Sequence, residues 1–267
     1  ISLSACKRCV HKPHSIETDM TPERFKRISD MLAQRQLDLT VCMEEVHKPH
    51  NLAAIVRTAD AIGIHRVHAV WPKTWIHKRK GTARGSQNWV DVKLHPDIGS
   101  AVAELKDSGM QILATHLSES SVDFRTIDYT KPTAILVGQE KHGIGEEALA
   151  LADHHIVIPM VGMVQSLNVS VAAAAILYEA QRQRELAGCY QRGCPLDLEE
   201  QNSILFEGGY PIYAQLCKEK DMPYPQLGPA GEILADEAWW QRMQLTRKGW
   251  AAQQDDPLDM EYPTDEV

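Results

Sequence analysis

The pattern of hydrophobic and polar residues changes from strand-like to helix-like and back several times between residues 37 and 188. Short apolar runs typical of buried strands occur at residues 39–46, 66–71, 89–94, 111–117, 133–137 and 156–158. Apolar residues at helical spacing predict helices at residues 51–62, 96–108 and 146–152, the first capped by Asn51. This alternation predicts an α/β fold, in which a mostly parallel sheet is covered by helices on both faces.

The longest helical pattern follows a loop that carries small polar side chains. The strand-like run at 156–158 leads into a loop with Ser166, Asn168 and Ser170, and an alanine-rich helix then extends towards Gly188. Either Ser166 or Asn168 can cap this helix. Backbone N–H groups at such a helix start can hold a polar ligand, although a plain capped core helix remains the alternative.

Further helices are predicted on both sides of this region. Thr21 followed by Pro22 opens an N-terminal helix with a partly basic face. Beyond Gly188 no strand pattern occurs, and short helices are predicted at 196–206, 210–220 and 236–245. Arg182 and Arg184 are cations at a helix C-terminus, which the helix dipole favours.

The charge of the chain is unevenly distributed. The net charge over 267 residues is −8, but residues 255–267 contain six acids and no lysine or arginine. Residues 71–90 contain five cations, no acid, and the aromatic side chains Trp71, Trp75 and Trp89. A local basic patch with aromatics favours phosphate contact more than the overall charge opposes it, although a solvated basic loop is the alternative.

Several classes of protein are excluded by motifs that the sequence lacks. No run of 18 apolar residues and no signal-peptide pattern occurs, so no membrane span and a cytoplasmic location are expected. Cys6 and Cys9 form a lone CxxC, and His11 and His14 follow too closely for a zinc finger, so no metal is expected. No GxGxxG or P-loop occurs, and Ser166 does not lie in G-x-S-x-G.

Three stretches at predicted strand ends contain the motifs that indicate a function. They are Asn51-x5-Arg57-Thr-Ala, then LVGQE ending at Glu140, then IPM followed by QSLNVS, which contains Ser166 and Asn168. In this order they resemble the SpoU (TrmH-type) RNA 2′-O-ribose methyltransferases of the SPOUT superfamily. The resemblance covers roughly residues 22 to 245. The helical C-terminal part resembles that of the bacterial tRNA enzymes acting on guanosine 18 of the D-loop.

The resemblance implies a fold feature and a cofactor that periodicity does not reveal. It implies a deep C-terminal trefoil knot, which binds S-adenosylmethionine mainly through backbone groups, and a homodimer with its active site near the interface. Carried over to this chain, the cofactor contacts are Thr115, Gly138, Ile158 and Leu167.

The implied reaction is methylation of a guanosine ribose 2′-oxygen in tRNA, at position 18. Arg57 would position the hydroxyl and bind phosphate; its role as a base stays open because a guanidinium is a poor base. Asn51 would hydrogen-bond near Arg57, and Glu140 would accept from Arg57 or from the ligand. Ser166 and Asn168 would shape the loop and orient the substrate. An rRNA 2′-O-methyltransferase and a catalytically silent RNA-binding relative are the alternatives.

The resemblance also suggests how the chain divides. RNA contacts are expected from the basic loop, the N-terminal helix and the C-terminal helices, through Lys78, Arg79, Lys80 and Arg84 together with Arg24, Arg27 and Arg35. The expected parts are a disordered or non-native leader at 1–20, an RNA-binding helix at 21–37, the methyltransferase domain at 38–188, a helical extension at 189–250, and an acidic disordered tail at 251–267.

Overall fold

The computed structural model of the chain describes residues 20–71, 89–139 and 142–243. These residues belong to two compact units. One is Met31–Pro195; the other combines the chain up to Asp30 with the chain from Leu196 onward. None of the helices described combines the length and the apolarity that crossing a lipid bilayer requires.

The larger unit is built on a parallel sheet. Within the described residues its seven strands are β1 (Leu39–Glu44), β2 (Arg66–Val70), β3 (Asp91–His95), β4 (Gln111–Thr115), β5 (Val122–Asp123), β6 (Thr133–Val137) and β7 (His154–Val157). The strand order is β3-β2-β1-β6-β4-β7-β5, and every pairing is parallel. The predicted α/β class and parallel sheet are therefore confirmed. Only β5, which has two residues, has no counterpart among the predicted strands.

Helices cover both faces of this sheet, as predicted. They are α2 (Pro49–Ala61), α3 (Ile98–Asp107), α4 (Glu146–Leu151) and α5 (Val169–Leu186). A further helix, α1 (Pro22–Ala33), precedes them in the chain and spans the boundary between the two units. Apolar side chains of α2 and α5 share one core with alternate residues of β1 and β2, whereas α3 and α4 share a second core. Because side chains alternate along a strand, the two cores lie on opposite faces of the sheet.

The end of α5 is held by a buried cation. Arg184 is fully buried, and it donates to the Asp38 carboxylate at 2.5 Å and to Gln36 Oε1 at 2.9 Å. It also donates to the backbone oxygens of Tyr129 and Lys131. Arg184 lies in the last turn of the helix, as predicted. Its larger role is to connect α5 to the segments that enter β1 and β6.

The smaller unit contains helices and one short strand pair. Its elements are α6 (Leu198–Gly209), α7 (Pro211–Glu219), β8 (Gln226–Leu227), β9 (Ile233–Leu234) and α8 (Glu237–Arg242). β8 and β9 pair antiparallel, and this strand pair was not predicted from the sequence. Two-residue strands are too short to give a periodic pattern. Phe206, Tyr210 and Trp239 form an aromatic core around which these elements pack.

Candidate functional site

Three neighbouring strands of the sheet bring the predicted cofactor contacts to one edge. β6, β4 and β7 are adjacent, and their carboxyl ends lead to Gly138, Thr115 and Ile158. Thr115 Oγ1 donates to the Leu136 backbone oxygen at 3.0 Å, and Ile158 packs against the core. Ligands of parallel α/β sheets bind at this edge. Leu167, the fourth predicted contact, lies in the loop that follows β7 and is about one-third exposed.

Gly138 lies where β6 meets a tightly closed loop. Gln139 and Gly143 exchange two backbone hydrogen bonds, each of 2.9 Å, and Gly143 has a φ of +68°. A Cβ atom on Gly138 would lie 2.1 Å from the Gly143 oxygen and 2.5 Å from the Ile144 nitrogen. Only glycine fits this approach of backbone to backbone. Glu140, the predicted acceptor, falls outside the described residues.

Two glutamates at the end of β1 hold the same loop, and neither was predicted. Glu45 has a φ of +51°, which is uncommon for a residue with a side chain, and its carboxylate accepts a short hydrogen bond from Gln139 Nε2. Glu44 Oε2 accepts from the Gly145 N–H at 2.8 Å. Burial raises the pKa of Glu44, and the Gly145 hydrogen bond partly offsets this effect. The feature of the sequence that could have indicated these contacts is a pair of glutamates at the end of a buried strand.

The start of α5 contacts the start of α2. Asn168 caps α5, accepting from the Ser170 N–H at 2.8 Å, so the second of the two predicted caps is correct. Its amide nitrogen also donates to Asn51 Oδ1 at 3.2 Å. Asn51 is 7% exposed and lies inside the first turn of α2, which begins at Pro49. The prediction that Asn51 caps α2 is therefore wrong, and its side chain instead joins the two helices.

Arg57 lies two turns further along α2 and is exposed. It makes no hydrogen bond or ion pair with any residue that the structure describes, so its guanidinium is available to a ligand. Ser166 is also exposed, in the loop between β7 and α5. That loop presents apolar side chains to solvent, with Val161 and Met163 almost fully exposed.

The predicted RNA contacts are only partly described. Lys78, Arg79, Lys80 and Arg84 lie outside the described residues. Arg24 and Arg27 are exposed on α1, where Arg24 Nε donates to the Gly208 oxygen at 2.8 Å.

The prediction that Arg35 belongs to an exposed basic face is wrong. Arg35 is 2% exposed and donates to the Ile64 backbone oxygen, to Asp60 Oδ1 at 2.9 Å and to the Trp89 backbone oxygen at 2.7 Å. Because these acceptors hold the guanidinium inside the α/β unit, it is not available to an RNA phosphate.

The model of the SpoU rRNA Methylase family matches residues 38–178. The chain belongs to this family. A second model, that of the C-terminal region of SpoU rRNA methylases, matches residues 182–236. The SpoU family membership accounts for the order of the three motifs at the strand ends.

Known SpoU proteins resemble the chain over most of its length. It is 63% identical over 226 residues to the tRNA (guanosine(18)-2′-O)-methyltransferase of Escherichia coli, an alignment that covers 84% of this chain and 99% of that enzyme. It is 56% identical over 174 residues to the enzyme of the same name from Thermus thermophilus, covering 65% and 90% of the two chains. The crystal structure of the A. aeolicus TrmH/SpoU tRNA modifying enzyme matches with a TM-score of 0.63 and 44% identity, over 71% of this chain and 96% of that one.

Proposed function

We propose that this SpoU family member transfers a methyl group from S-adenosylmethionine to the 2′-oxygen of guanosine 18 in the D-loop of tRNA. The observation that carries the proposal is the Asn168–Asn51 hydrogen bond. It joins the QSLN loop to the helix that presents Arg57, so two of the family's motifs meet in one place. The enzymes of E. coli and T. thermophilus, which bear the name of this activity, are the relatives that support position 18.

The residues at the sheet edge fit S-adenosylmethionine. Thr115, Gly138 and Ile158 lie at adjacent strand ends, and the absence of a Cβ at Gly138 lets the backbone of Gly143 and Ile144 lie close to the end of β6. Backbone groups of these ends and of Leu167 would hold the cofactor. The bound cofactor supplies a cationic sulfonium with a transferable methyl group. Because the start of α5 is also positive, loop shape and hydrogen bonds, rather than the helix dipole, would account for binding.

In this proposal the chain contributes mainly by positioning. The free guanidinium of Arg57 binds an RNA phosphate and orients the ribose hydroxyl. Asn51 holds Asn168, which fixes the start of α5 and therefore the loop that carries Ser166. Glu140 accepts a hydrogen bond from Arg57 or from the ligand. Holding reactants in an attack geometry can by itself account for a large part of an enzymatic rate enhancement.

Binding of tRNA is assigned to basic residues outside the sheet edge. Arg24 and Arg27 of the helical segment 21–37, the loop with Lys78, Arg79, Lys80 and Arg84, and the extension 189–250 would contact phosphates. Such contacts position an RNA without selecting its sequence.

Two further features of the family are proposed for this chain. The first is a deep trefoil knot in the C-terminal part of the methyltransferase domain. The second is a homodimer, which is supported by exposed apolar side chains on the loop before α5 and on α5 itself, among them Val161, Met163 and Val171. The cytoplasmic location also stays a prediction.

The proposed substrate is tested with labelled S-adenosylmethionine and purified, unmodified RNAs. We expect label to enter the bulk tRNA fraction and not ribosomal RNA. Label in ribosomal RNA alone would favour the rRNA 2′-O-methyltransferase. No label in either RNA, with cofactor binding intact by calorimetry, would leave only the silent RNA-binding relative.

A further inference from the structure

A cluster of potential metal ligands lies on the face of the sheet that α3 covers. His68 is in the middle of β2, His95 ends β3, and Glu104 is on α3. One ring nitrogen of each histidine and one carboxylate oxygen of Glu104 all lie within 4.8 Å of one another. Both histidines are only 5% exposed. Three separate elements thus bring two imidazoles and a carboxylate close together.

The geometry of the two rings suits the binding of one metal ion by both. His68 Nδ1 lies 2.8 Å from His95 Nε2, and the rings are stacked with their planes 17° apart. Nitrogens bound to one tetrahedral zinc ion lie about 3.3 Å apart, so the rings would need to separate by only about 0.5 Å. The distance also permits a hydrogen bond between the rings, which is the arrangement without a metal.

The charges of the three groups are those that a metal requires. Burial, with the neighbouring imidazole as a further cause, lowers the pKa of His68 to about 4, and burial lowers that of His95, so both rings are neutral at pH 7. The hydrogen bond from Lys93 lowers the pKa of Glu104, so its carboxylate is charged. Neutral imidazole and ionised carboxylate are the forms that bind metal ions.

We propose that His68, His95 and Glu104 bind a divalent transition-metal ion of the zinc class, with solvent as a fourth ligand. Two histidines and a carboxylate form a known zinc ligand set. The site would fasten the edge strand β3 and its neighbour β2 to α3. It is separate from the proposed methyl-transfer residues, because His68 alternates with Val67 and Ala69, which face the core of α2 and α5.

Lys93 competes with the metal for the carboxylate. Its Nζ lies 2.6 Å from Glu104 Oε2, and both side chains are about 40% exposed. Ion pairs this exposed contribute little to stability, and the lysine can turn into solvent. Removing Lys93 should therefore tighten metal binding, an effect that a site without metal affinity would not show.

The experiment titrates Zn²⁺ into the untagged, chelator-treated 267-residue chain in competition with a chromogenic chelator. We expect one Zn²⁺ per chain, at least about tenfold weaker binding in His95→Gln and in Glu104→Gln, and binding about twofold to fivefold tighter in Lys93→Met. Bound Zn²⁺ should also raise the Tm of the wild type and not that of Glu104→Gln.

The Cys6→Ser/Cys9→Ser protein controls for the other cluster of potential ligands, and it should bind Zn²⁺ like the wild type. Each variant's Tm without metal reports whether it folds. Two results would overturn the proposal. One is no Zn²⁺ binding at micromolar concentration by either the wild type or Lys93→Met. The other is binding that survives His95→Gln and Glu104→Gln but is lost from the cysteine variant.

Discussion

Replacing Gly138 with alanine should damage the proposed cofactor site by forcing two backbone segments apart. The new Cβ would lie 2.1 Å from the Gly143 oxygen and 2.2 Å from its carbonyl carbon, whereas such contacts are essentially never shorter than 3.0 Å. No flexible side chain can absorb the overlap, because both contacts are to backbone. The loop that begins with Gln139 must therefore move by about 1 Å.

The size of the effect follows from this displacement. Overpacking of a close-packed region costs about 2 kcal/mol, which in a chain of this size lowers the Tm by about 4–8 °C. A shift of about 1 Å near reacting groups can reduce a rate about a hundredfold. We therefore expect weakened S-adenosylmethionine binding and a large loss of methyl transfer, in a protein that remains folded.

The measurements are calorimetric titration of the cofactor, initial rates of label transfer to tRNA, and thermal unfolding. Gly162→Ala is the matched control, since a Cβ there meets nothing within 4 Å and the backbone is not left-handed. That variant should keep the Tm of the wild type, because no overlap of atoms has to be relieved. If Gly138→Ala bound cofactor and transferred methyl groups as the wild type does, the close approach at Gly138 would not matter to the site.

Three further tests address other parts of the account. Arg57→Ala should unfold at the wild-type temperature yet transfer methyl groups at least about a hundredfold more slowly, and near-normal rates would remove Arg57 from the mechanism. Arg184→Met should lower the free energy of unfolding in urea by about 3–5 kcal/mol, because it leaves the partners of a buried cation unpaired. Arg182→Met, at an exposed ion pair on the same helix, should lower the free energy of unfolding by less than about 1 kcal/mol. Equal losses in the two variants would contradict the role assigned to Arg184. Changing Lys78, Arg79 and Lys80 together to alanine should weaken tRNA binding and leave the cofactor affinity unchanged. The slope of log K against log salt concentration should become shallower by about two to three. Unchanged tRNA affinity would exclude this loop from the interface.

Much of the fold could be predicted because its strands and helices are long enough to repeat a pattern. Strands β1, β2 and β6 bury all or all but one of their residues, and β4 buries its three central residues. The apolar runs of these four strands are visible in the sequence. The two-residue strands β5, β8 and β9 bury too little to leave such a signal. The start of α2 was placed two residues late, although Pro49 at the first turn is a common opening residue.

The candidate site residues were predicted from motifs, and the contacts that the sequence analysis missed join residues far apart in the sequence. Arg35 looked like part of a basic helix face, but its three acceptors come from segments 25 to 54 residues away. The bond between Glu45 and Gln139 spans 94 positions. Such pairs follow from the order of strands in the sheet, which periodicity along one segment does not encode.

The central claim is that this chain methylates the ribose of guanosine 18 in tRNA. The most direct measurement is mass spectrometry of nuclease fragments from unmodified tRNA that has been incubated with the protein and S-adenosylmethionine. The account predicts one added methyl group, on the ribose of the guanosine at position 18, and none when that position is replaced by another nucleotide. A methyl group on a base, or on the ribose of a different nucleotide, would contradict it.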